Sequence, residues 1–161
     1  MQDKIHGPIV QTPKWALESL AEARVGHLAC STKDGKPLVI PICFVFDGSM
    51  VYSSIDEKPK RARPHALRRV SNIIENPNVC FIVDDYAEDW HRLAYVLVIG
   101  SAAITERGKV FRHAIALLRK KYRQYRVMKL ETRPLIKIKP IRVIAWKPLK
   151  ISRTVKPKEY H

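Results

Sequence analysis

A short segment in the first half of the chain combines hydroxyl groups with cations at close spacing. It ends a predicted strand with Ser53 and Ser54 and continues into a proline-stiffened loop that carries Lys58, Lys60 and Arg61. Hydroxyls can donate hydrogen bonds to phosphate, lysine supplies a point charge and arginine a planar fork. A helix start just beyond the loop adds oriented backbone amides. The segment predicts a site for a phosphate monoester, with a solvated basic loop as the alternative.

A second segment of interest is the acidic stretch Asp84–Arg92, which also carries Tyr86 and Trp90. Acidic loops are common on protein surfaces, but a tryptophan within one is less so. Trp90 either covers the flat ring system of a ligand or packs on the end of the fold, and the sequence does not decide between these two hypotheses.

Motifs for other chemistry are missing from the chain. There is no GxxxxGK[ST] phosphate loop, GxGxxG, HExxH or GxSxG, and the six histidines have no metal-ligand spacing. The three cysteines, which lie between apolar neighbours in predicted strands, are expected to be small core residues: Cys30, Cys43 and Cys80. No metal is predicted, and an enzyme of this sequence is expected to rely on a cofactor for its chemistry.

The net charge of +15 favours an anionic ligand or partner. Nucleic acid, an anionic membrane surface and a small phosphorylated ligand all fit this charge. Residues 107–126 carry eight basic side chains and no acid, but an apolar stripe along them predicts a helix with one buried face. Aromatic residues do not alternate with the basic runs, which argues against a nucleic-acid platform. The longest apolar run is too short to span a bilayer and the first residues lack a secretory signal, so a cytoplasmic protein is expected.

The elements that must position these residues follow from periodicity and turn signals. A first helix is predicted over residues 13–24, with Thr12 as its cap and Gly26 beyond its end. Strands over 27–32, 37–46 and 50–55 are joined by two Asp-Gly turns, which predicts an antiparallel meander. Pro41 within the second of these strands indicates an edge strand or a bulge.

The second half of the chain alternates helices with strands. Helices are predicted over 66–75 and 107–125, and strands over 79–83, 93–105, 135–138 and 141–146, with a possible bulge at Gly100. This order predicts a mainly β (α+β) fold: a six- to seven-stranded antiparallel barrel with peripheral helices. Residues 1–147 are expected to form one domain, and residues 148–161 a basic tail.

Several segments together resemble the pyridoxamine 5′-phosphate oxidase-like, flavin-binding split-barrel superfamily. Within it, the chain looks most similar to probable deazaflavin (coenzyme F-420)-dependent oxidoreductases. The resemblance covers about residues 12–147 and is carried by these segments: 26–32, 35–41, 51–54, 58–61, 68–73, 75–79, 84–86 with Trp90, and 100–102.

This resemblance implies a split barrel that works as a homodimer, with two cofactors in clefts between the subunits. The family's phosphate-binding hydroxyl pair falls on Ser53 and Ser54 and its lysine on Lys60, with Arg61 and Lys58 close enough to help. The strand that runs along the tricyclic ring falls on Pro41, Ile42 and Cys43. Tyr86 and Trp90 belong to the loop that approaches the ring, from the same or the other subunit.

The implied function is hydride transfer between FMN or coenzyme F-420 and an unidentified small molecule. The alternatives are a non-catalytic carrier or sensor of the cofactor, and a basic nucleic-acid-binding module on the same barrel. The chain departs from the founding enzyme because residues 38–46 contain no Lys or Arg and the C-terminal Arg-x-His motif is missing. Pyridoxamine phosphate is therefore not the substrate that the sequence indicates.

Overall fold

The computed structural model of the chain describes residues 5–6, 9–55 and 67–148. The described residues form three α-helices, α1 (Lys14–Glu22), α2 (Arg68–Glu75) and α3 (Lys109–Lys121). The strands are β1 (Ile5–His6), β2 (Val25–Ser31), β3 (Pro37–Cys43), β4 (Val45–Phe46), β5 (Val51–Ser54), β6 (Asn78–Asp85), β7 (Ala94–Thr105) and β8 (Leu135–Trp146). Short 3-10 turns lie at Ile9–Gln11, Trp90–Arg92, Arg123–Arg126 and Leu130–Thr132.

The strands form one antiparallel sheet that curls into a barrel. Its order is β3-β2-β6-β7-β8-β5-β4, and the two-residue β1 pairs with β8. The two edge strands, β3 and β4, are separated along the chain by Phe44 alone. Because one residue joins the two edges, the sheet must bend back on itself at this corner. This arrangement confirms the predicted mainly β fold with peripheral helices.

Both Asp-Gly turns are hairpins, as predicted, but the middle strand of the predicted meander is not continuous. β2 pairs with β3 and β4 pairs with β5, with Gly35 and Gly48 at φ of 85° and 95°. The predicted strand 37–46 is broken at Phe44 into β3, which pairs with β2, and β4, which pairs with β5. The Phe44 side chain is fully buried, and the backbone N–H of Phe44 donates to the Tyr122 hydroxyl rather than to a neighbouring strand. The chain therefore passes from one edge of the sheet to the other at this residue.

The two predicted final strands are a single strand, β8, which pairs along its whole length with β7. The register shifts at Gly100, which lies opposite Pro140, whereas Ile99 lies opposite Arg142. Ile141 is thus the extra residue of a bulge, which sits on β8 opposite the predicted position. A Cβ on Gly100 would lie 2.6 Å from the Lys139 carbonyl oxygen, so the glycine lets the two strands approach closely.

The helices are close to their predicted ranges but differ at their ends. The residue before α1 is Pro13, with no side-chain cap, and Thr12 is buried instead of capping the helix. Gly26 lies within β2 rather than at a helix end, and a Cβ there would be 2.3 Å from the Phe81 ring. α3 ends at Lys121 and is followed by the 3-10 turn at Arg123–Arg126.

Two apolar clusters stabilise the fold. The larger fills the barrel between the sheet, α1 and α2, around residues such as Phe44 and Phe81. The smaller lies on the other face of the sheet, where α3 packs on β4 and β5.

No helix in the described part of the chain is long and apolar enough to cross a membrane. Residues 149–161, most of the predicted tail, lie outside the described residues.

Candidate functional site

The two serines at the end of β5 face opposite sides of the sheet. Ser53 pairs with Ile136, which belongs to the cluster inside the barrel. Ser54 pairs with Leu135, which belongs to the outer cluster under α3. Paired residues of antiparallel strands share a face, and successive residues alternate. Ser53 therefore points into the barrel and Ser54 toward its outside, so the two hydroxyls do not converge on one group.

The Ser54 hydroxyl is buried. The residue is 6% exposed, and its Oγ has no hydrogen-bond partner among the described residues. A buried hydroxyl is normally satisfied, because leaving it unpaired costs about 1–3 kcal/mol. This oxygen is thus a candidate contact for a ligand group at the strand end.

The strand predicted to run along a ring, β3, presents alternate residues to the outside. Pro41 pairs with His27 and Cys43 with Val25, both exposed positions of β2, whereas Ile42 is buried in the inner cluster. Side chains that can touch an outer ligand are therefore those of Pro41 and Cys43, and Ile42 can contribute only its backbone. β3 is an edge strand, as Pro41 predicts, and its end approaches β5 across the corner at Phe44.

Tyr86 and Trp90 lie on the loop that leaves β6. Their side chains are 69% and 71% exposed, so Trp90 does not pack against the end of the barrel. Asp89 opens the turn Trp90–Arg92 by accepting a hydrogen bond from the His91 N–H at 3.1 Å. The loop starts beside β2, where the Asp84 carboxylate is 3.9 Å from the His27 imidazole. It thus leaves the sheet at the same end of β2 and β3 as Cys43.

The three loop cations predicted to hold phosphate, Lys58, Lys60 and Arg61, lie outside the described residues. The structure adds one cation that the sequence analysis missed. Arg133 immediately precedes Pro134, whose carbonyl oxygen accepts a hydrogen bond from the Ile55 N–H at 3.0 Å. This bond places Arg133 beside the end of β5. No local signal in the sequence could reveal it, because the pairing of β5 with β8 spans about 80 residues.

A cluster around Tyr122 fixes the corner next to Cys43. The Tyr122 hydroxyl lies 2.7 Å from the carbonyl oxygens of Arg24 and Phe44. The Lys121 ammonium donates to the Ala21 and Ala23 carbonyls at 2.9 and 2.6 Å. Burial, and then the nearby Arg24 guanidinium, lower the pKa of Lys121 to about 8. The C-terminal end of α3 therefore ties α1 to the join of β3 and β4.

A cavity of about 190 Å³ opens beside this cluster. Its lining comprises Arg24, Val25, Cys43, Tyr122, Gln124, Tyr125 and Met128. A larger cavity, of about 340 Å³, lies between α1, the end of β6 and the start of β7. Of these two cavities, the smaller one borders β3, the strand predicted to run along the cofactor ring, because Cys43 is among its lining residues. Within the described residues, no group of three His, Cys, Asp or Glu side chains could hold a metal ion.

A single curled antiparallel sheet, split at a corner between consecutive edge strands and flanked by helices, defines the fold class as a mainly β split barrel. The sequence pattern of the pyridoxamine 5′-phosphate oxidase family matches residues 13–147. The chain therefore belongs to the pyridoxamine 5′-phosphate oxidase family, as the motifs had indicated. The search of curated proteins finds no significant match.

Solved structures share this fold at low sequence identity. A FAD-binding protein from Mesorhizobium loti is 21% identical, with a TM-score of 0.62 over 83% of this chain and 93% of that one. A structure described as an F420 reductase is 20% identical, with a TM-score of 0.58 over 82% and 98%. HutZ, the heme storage protein of Vibrio cholerae, is 19% identical, with a TM-score of 0.61 over 76% and 85%. At these identities the likeness concerns the fold alone.

Proposed function

We propose that this protein is a homodimeric oxidoreductase that binds FMN or the deazaflavin coenzyme F-420 and acts on a small organic molecule. Membership of the pyridoxamine 5′-phosphate oxidase family supports the cofactor class. The observation that carries the proposal is the buried Ser54 hydroxyl at the outer end of β5, which has no hydrogen-bond partner among the described residues. A hydroxyl at a strand end is suited to the phosphate of a flavin-type cofactor.

The residues around Ser54 fit such a group in their chemistry. Pro41 and Cys43 give β3 an outward surface, Ser54 offers a hydrogen-bond donor, and Lys60 follows six residues later in the sequence. When bound, the cofactor supplies hydride transfer at its ring, which needs no protein nucleophile. The protein's part is to orient the ring, neutralise the phosphate and exclude water. The net charge of +15 suits the more anionic tail of the deazaflavin.

The cofactor proposal is tested by the absorption spectrum of the freshly purified protein and by titration with each cofactor. We expect FMN or coenzyme F-420 to bind with a Kd below roughly 10 μM, about −7 kcal/mol. Binding of neither cofactor would reject the proposal. Turnover with the reduced cofactor and candidate acceptors then separates an oxidoreductase from a non-catalytic carrier, which would bind the cofactor equally well.

The two serines offer a matched pair of variants for the phosphate contact. Ser54→Ala should weaken cofactor binding about tenfold, as expected for one lost hydrogen bond to a charged group. Ser53→Ala, on the inner face of the same strand, should leave the affinity within about twofold. Equal losses in both variants, or no loss in Ser54→Ala, would contradict the assignment of Ser54. Lys60→Ala should also weaken binding, by one to a few kcal/mol.

A further inference from the structure

The smaller cavity, of about 190 Å³, has a mostly apolar wall and one cation in its lining. Its apolar residues are Val25, Cys43, Tyr122, Tyr125 and Met128, and its polar residues are Arg24 and Gln124. A water molecule occupies about 30 Å³ in the liquid, so the cavity has room for about six waters or for one molecule of the size of benzoate. An apolar wall with a few polar groups that fix orientation is typical of a small-molecule site.

Arg24 is held in place by contacts of its guanidinium. The residue lies between the end of α1 and the start of β2. Its Cζ lies 4.9 Å from the centroid of the Tyr122 ring, and its Nη2 donates to the Lys121 carbonyl oxygen at 3.1 Å. No acceptor among the described residues takes the N–H groups of Nε and Nη1. A guanidinium that is fixed in this way and keeps donors available suits a carboxylate, which it can bind through two parallel hydrogen bonds.

The positive charge at the cavity is not neutralised within the part of the chain that the structure describes. Neither Arg24 nor Lys121 forms an ion pair with a described Asp or Glu side chain. Burial, and after it the repulsion from the Arg24 guanidinium, lower the pKa of Lys121 to about 8. Both side chains are therefore largely cationic at neutral pH and repel each other. An anion in the cavity would pair with Arg24 and offset this repulsion.

We propose that the smaller cavity binds a small organic carboxylate with a flat apolar body, whose carboxylate group pairs with Arg24. The rings of Tyr122 and Tyr125, with centroids 5.2 Å apart, and the flexible thioether of Met128 offer contacts to such a body. A neutral molecule of the same shape would leave the guanidinium unpaired, and a cation would be repelled by it. The cavity thus favours the carboxylate over both.

The position of the cavity makes its ligand a candidate for the substrate. Cys43 lines the cavity and is the last residue of β3, the strand predicted to run along the cofactor ring. A carboxylate in the cavity would therefore lie near the ring, and Arg24 would be a substrate-binding residue. This role rests on the proposed function, whereas occupation of the cavity does not require the cofactor.

Three probes of similar shape, titrated into the full chain without cofactor, test the site. Near neutral pH benzoate is an anion, benzamide is neutral and benzamidine is a cation. The NMR shifts of the backbone amides report both the affinity and the location of each probe. We expect benzoate to bind with a Kd at or below roughly 1 mM and to shift the amides of the lining residues, and the other probes to bind at least about tenfold more weakly. Equal binding of the three, or benzoate shifts confined to other parts of the chain, would overturn the proposal.

Arg24→Gln should weaken benzoate binding at least about tenfold, because it removes the charge that pairs with the carboxylate. The control is Arg112→Gln, which removes an exposed arginine of α3 nine residues before Lys121, about 14 Å along the helix. This control should keep the affinity within about twofold. An equal effect of the two variants would show that benzoate responds to net charge alone and would reject the role of Arg24. Thermal unfolding checks that both variants fold, and the probe series on the unaltered chain decides the matter if Arg24→Gln does not.

The benzoate titration and the cofactor titration can fail separately. A chain that binds benzoate in the smaller cavity but binds neither FMN nor coenzyme F-420 would reject the proposed function and leave the carboxylate site in place. A chain that binds one of the cofactors but not benzoate would reject the carboxylate site and leave the proposed function in place.

Discussion

Tyr122 shows how a single side chain replaces strand pairing at the corner of the barrel. Phe44 separates β3 from β4, and its N–H would be unsatisfied in the core without another acceptor. The Tyr122 hydroxyl accepts this N–H at 3.0 Å and lies within hydrogen-bond distance of two carbonyl oxygens. The tyrosine is 4% exposed, so water does not substitute for it. The corner that holds β3 next to β5 therefore depends on one hydroxyl.

We predict that Tyr122→Phe lowers the free energy of unfolding by about 1–3 kcal/mol. The change leaves the Phe44 N–H buried without an acceptor, which costs more than the loss of an exposed hydrogen bond. Urea unfolding followed by circular dichroism measures the effect. Tyr86→Phe is the control, because Tyr86 is 69% exposed and bonds only Glu88 at 3.2 Å in the described residues. Equal stability of the two variants would show that the corner does not need the hydroxyl.

Residue types were easier to predict than the directions in which side chains point. Ser53 and Ser54 could be selected from the sequence because hydroxyls at a strand end suit phosphate, and the β3 residues because of the family resemblance. The side of the sheet on which each residue lies could not be predicted, because a shift of one residue in the pairing of β5 with β8 would exchange the sides of Ser53 and Ser54. The place of Arg133 in the segment next to the end of β5 was missed for the same reason, because only the long-range pairing of β5 with β8 sets it.

At the scale of elements, the positions of the turns were predicted correctly from local residue types, whereas the continuity of the strands was not. The two Asp-Gly turns were correct, because a glycine at positive φ fixes a tight hairpin within a few residues. The break at Phe44 carries no local signal, since the residues on both sides are apolar and suited to a strand. Conversely, two separate strands were predicted over 135–138 and 141–146, but the bulge at Ile141 lets β8 continue. Both errors arise where tertiary pairing outweighs local preference.

The close approach of β7 and β8 at the bulge gives a prediction at this scale. Gly100→Ala would place a methyl group 2.6 Å from the Lys139 carbonyl oxygen, so one of the two strands must shift. We expect a loss of about 1–3 kcal/mol in the free energy of unfolding, as for an overpacked core. Ser101→Ala, at the next and outward-facing position, should change it by less than about 0.5 kcal/mol. Chemical denaturation of both variants provides the measurement, and a neutral Gly100→Ala would show that the bulge adapts without strain.

At the scale of the whole molecule, the basic helix contributes to the core as well as to the charge. The predicted apolar stripe is buried, with Phe111, Ala114 and Leu118 in the outer cluster. Arg119 pairs with Glu131, and Lys121 bonds the end of α1, so part of the basic run has a structural role. These contacts weaken the case for α3 as a nucleic-acid platform, since two of its cations are engaged within the subunit.

The titration of buried groups near the corner links the stability of the whole fold to pH. Lys121 has its pKa lowered to about 8, from an ordinary value of 10.5, by burial and by the Arg24 guanidinium. Between these two values the unfolded chain binds more protons than the folded one, so stability rises with pH. Burial raises the pKa values of Tyr52 and Tyr122 to about 12, from 10. Between 10 and 12 the folded chain keeps protons that the unfolded chain has lost, so stability falls.

We therefore predict that the free energy of unfolding increases from pH 8 to about pH 10 and decreases above it. Urea unfolding at intervals of one pH unit from 7 to 11 measures this profile. Lys121→Met should flatten the rising part, because it removes the lysine whose charge is disfavoured at the buried corner. Tyr122→Phe should reduce the fall above pH 10 and leave the rise in place. A wild-type profile that falls between pH 8 and pH 10, or a rise that persists in Lys121→Met, would show that Lys121 does not couple the fold to pH.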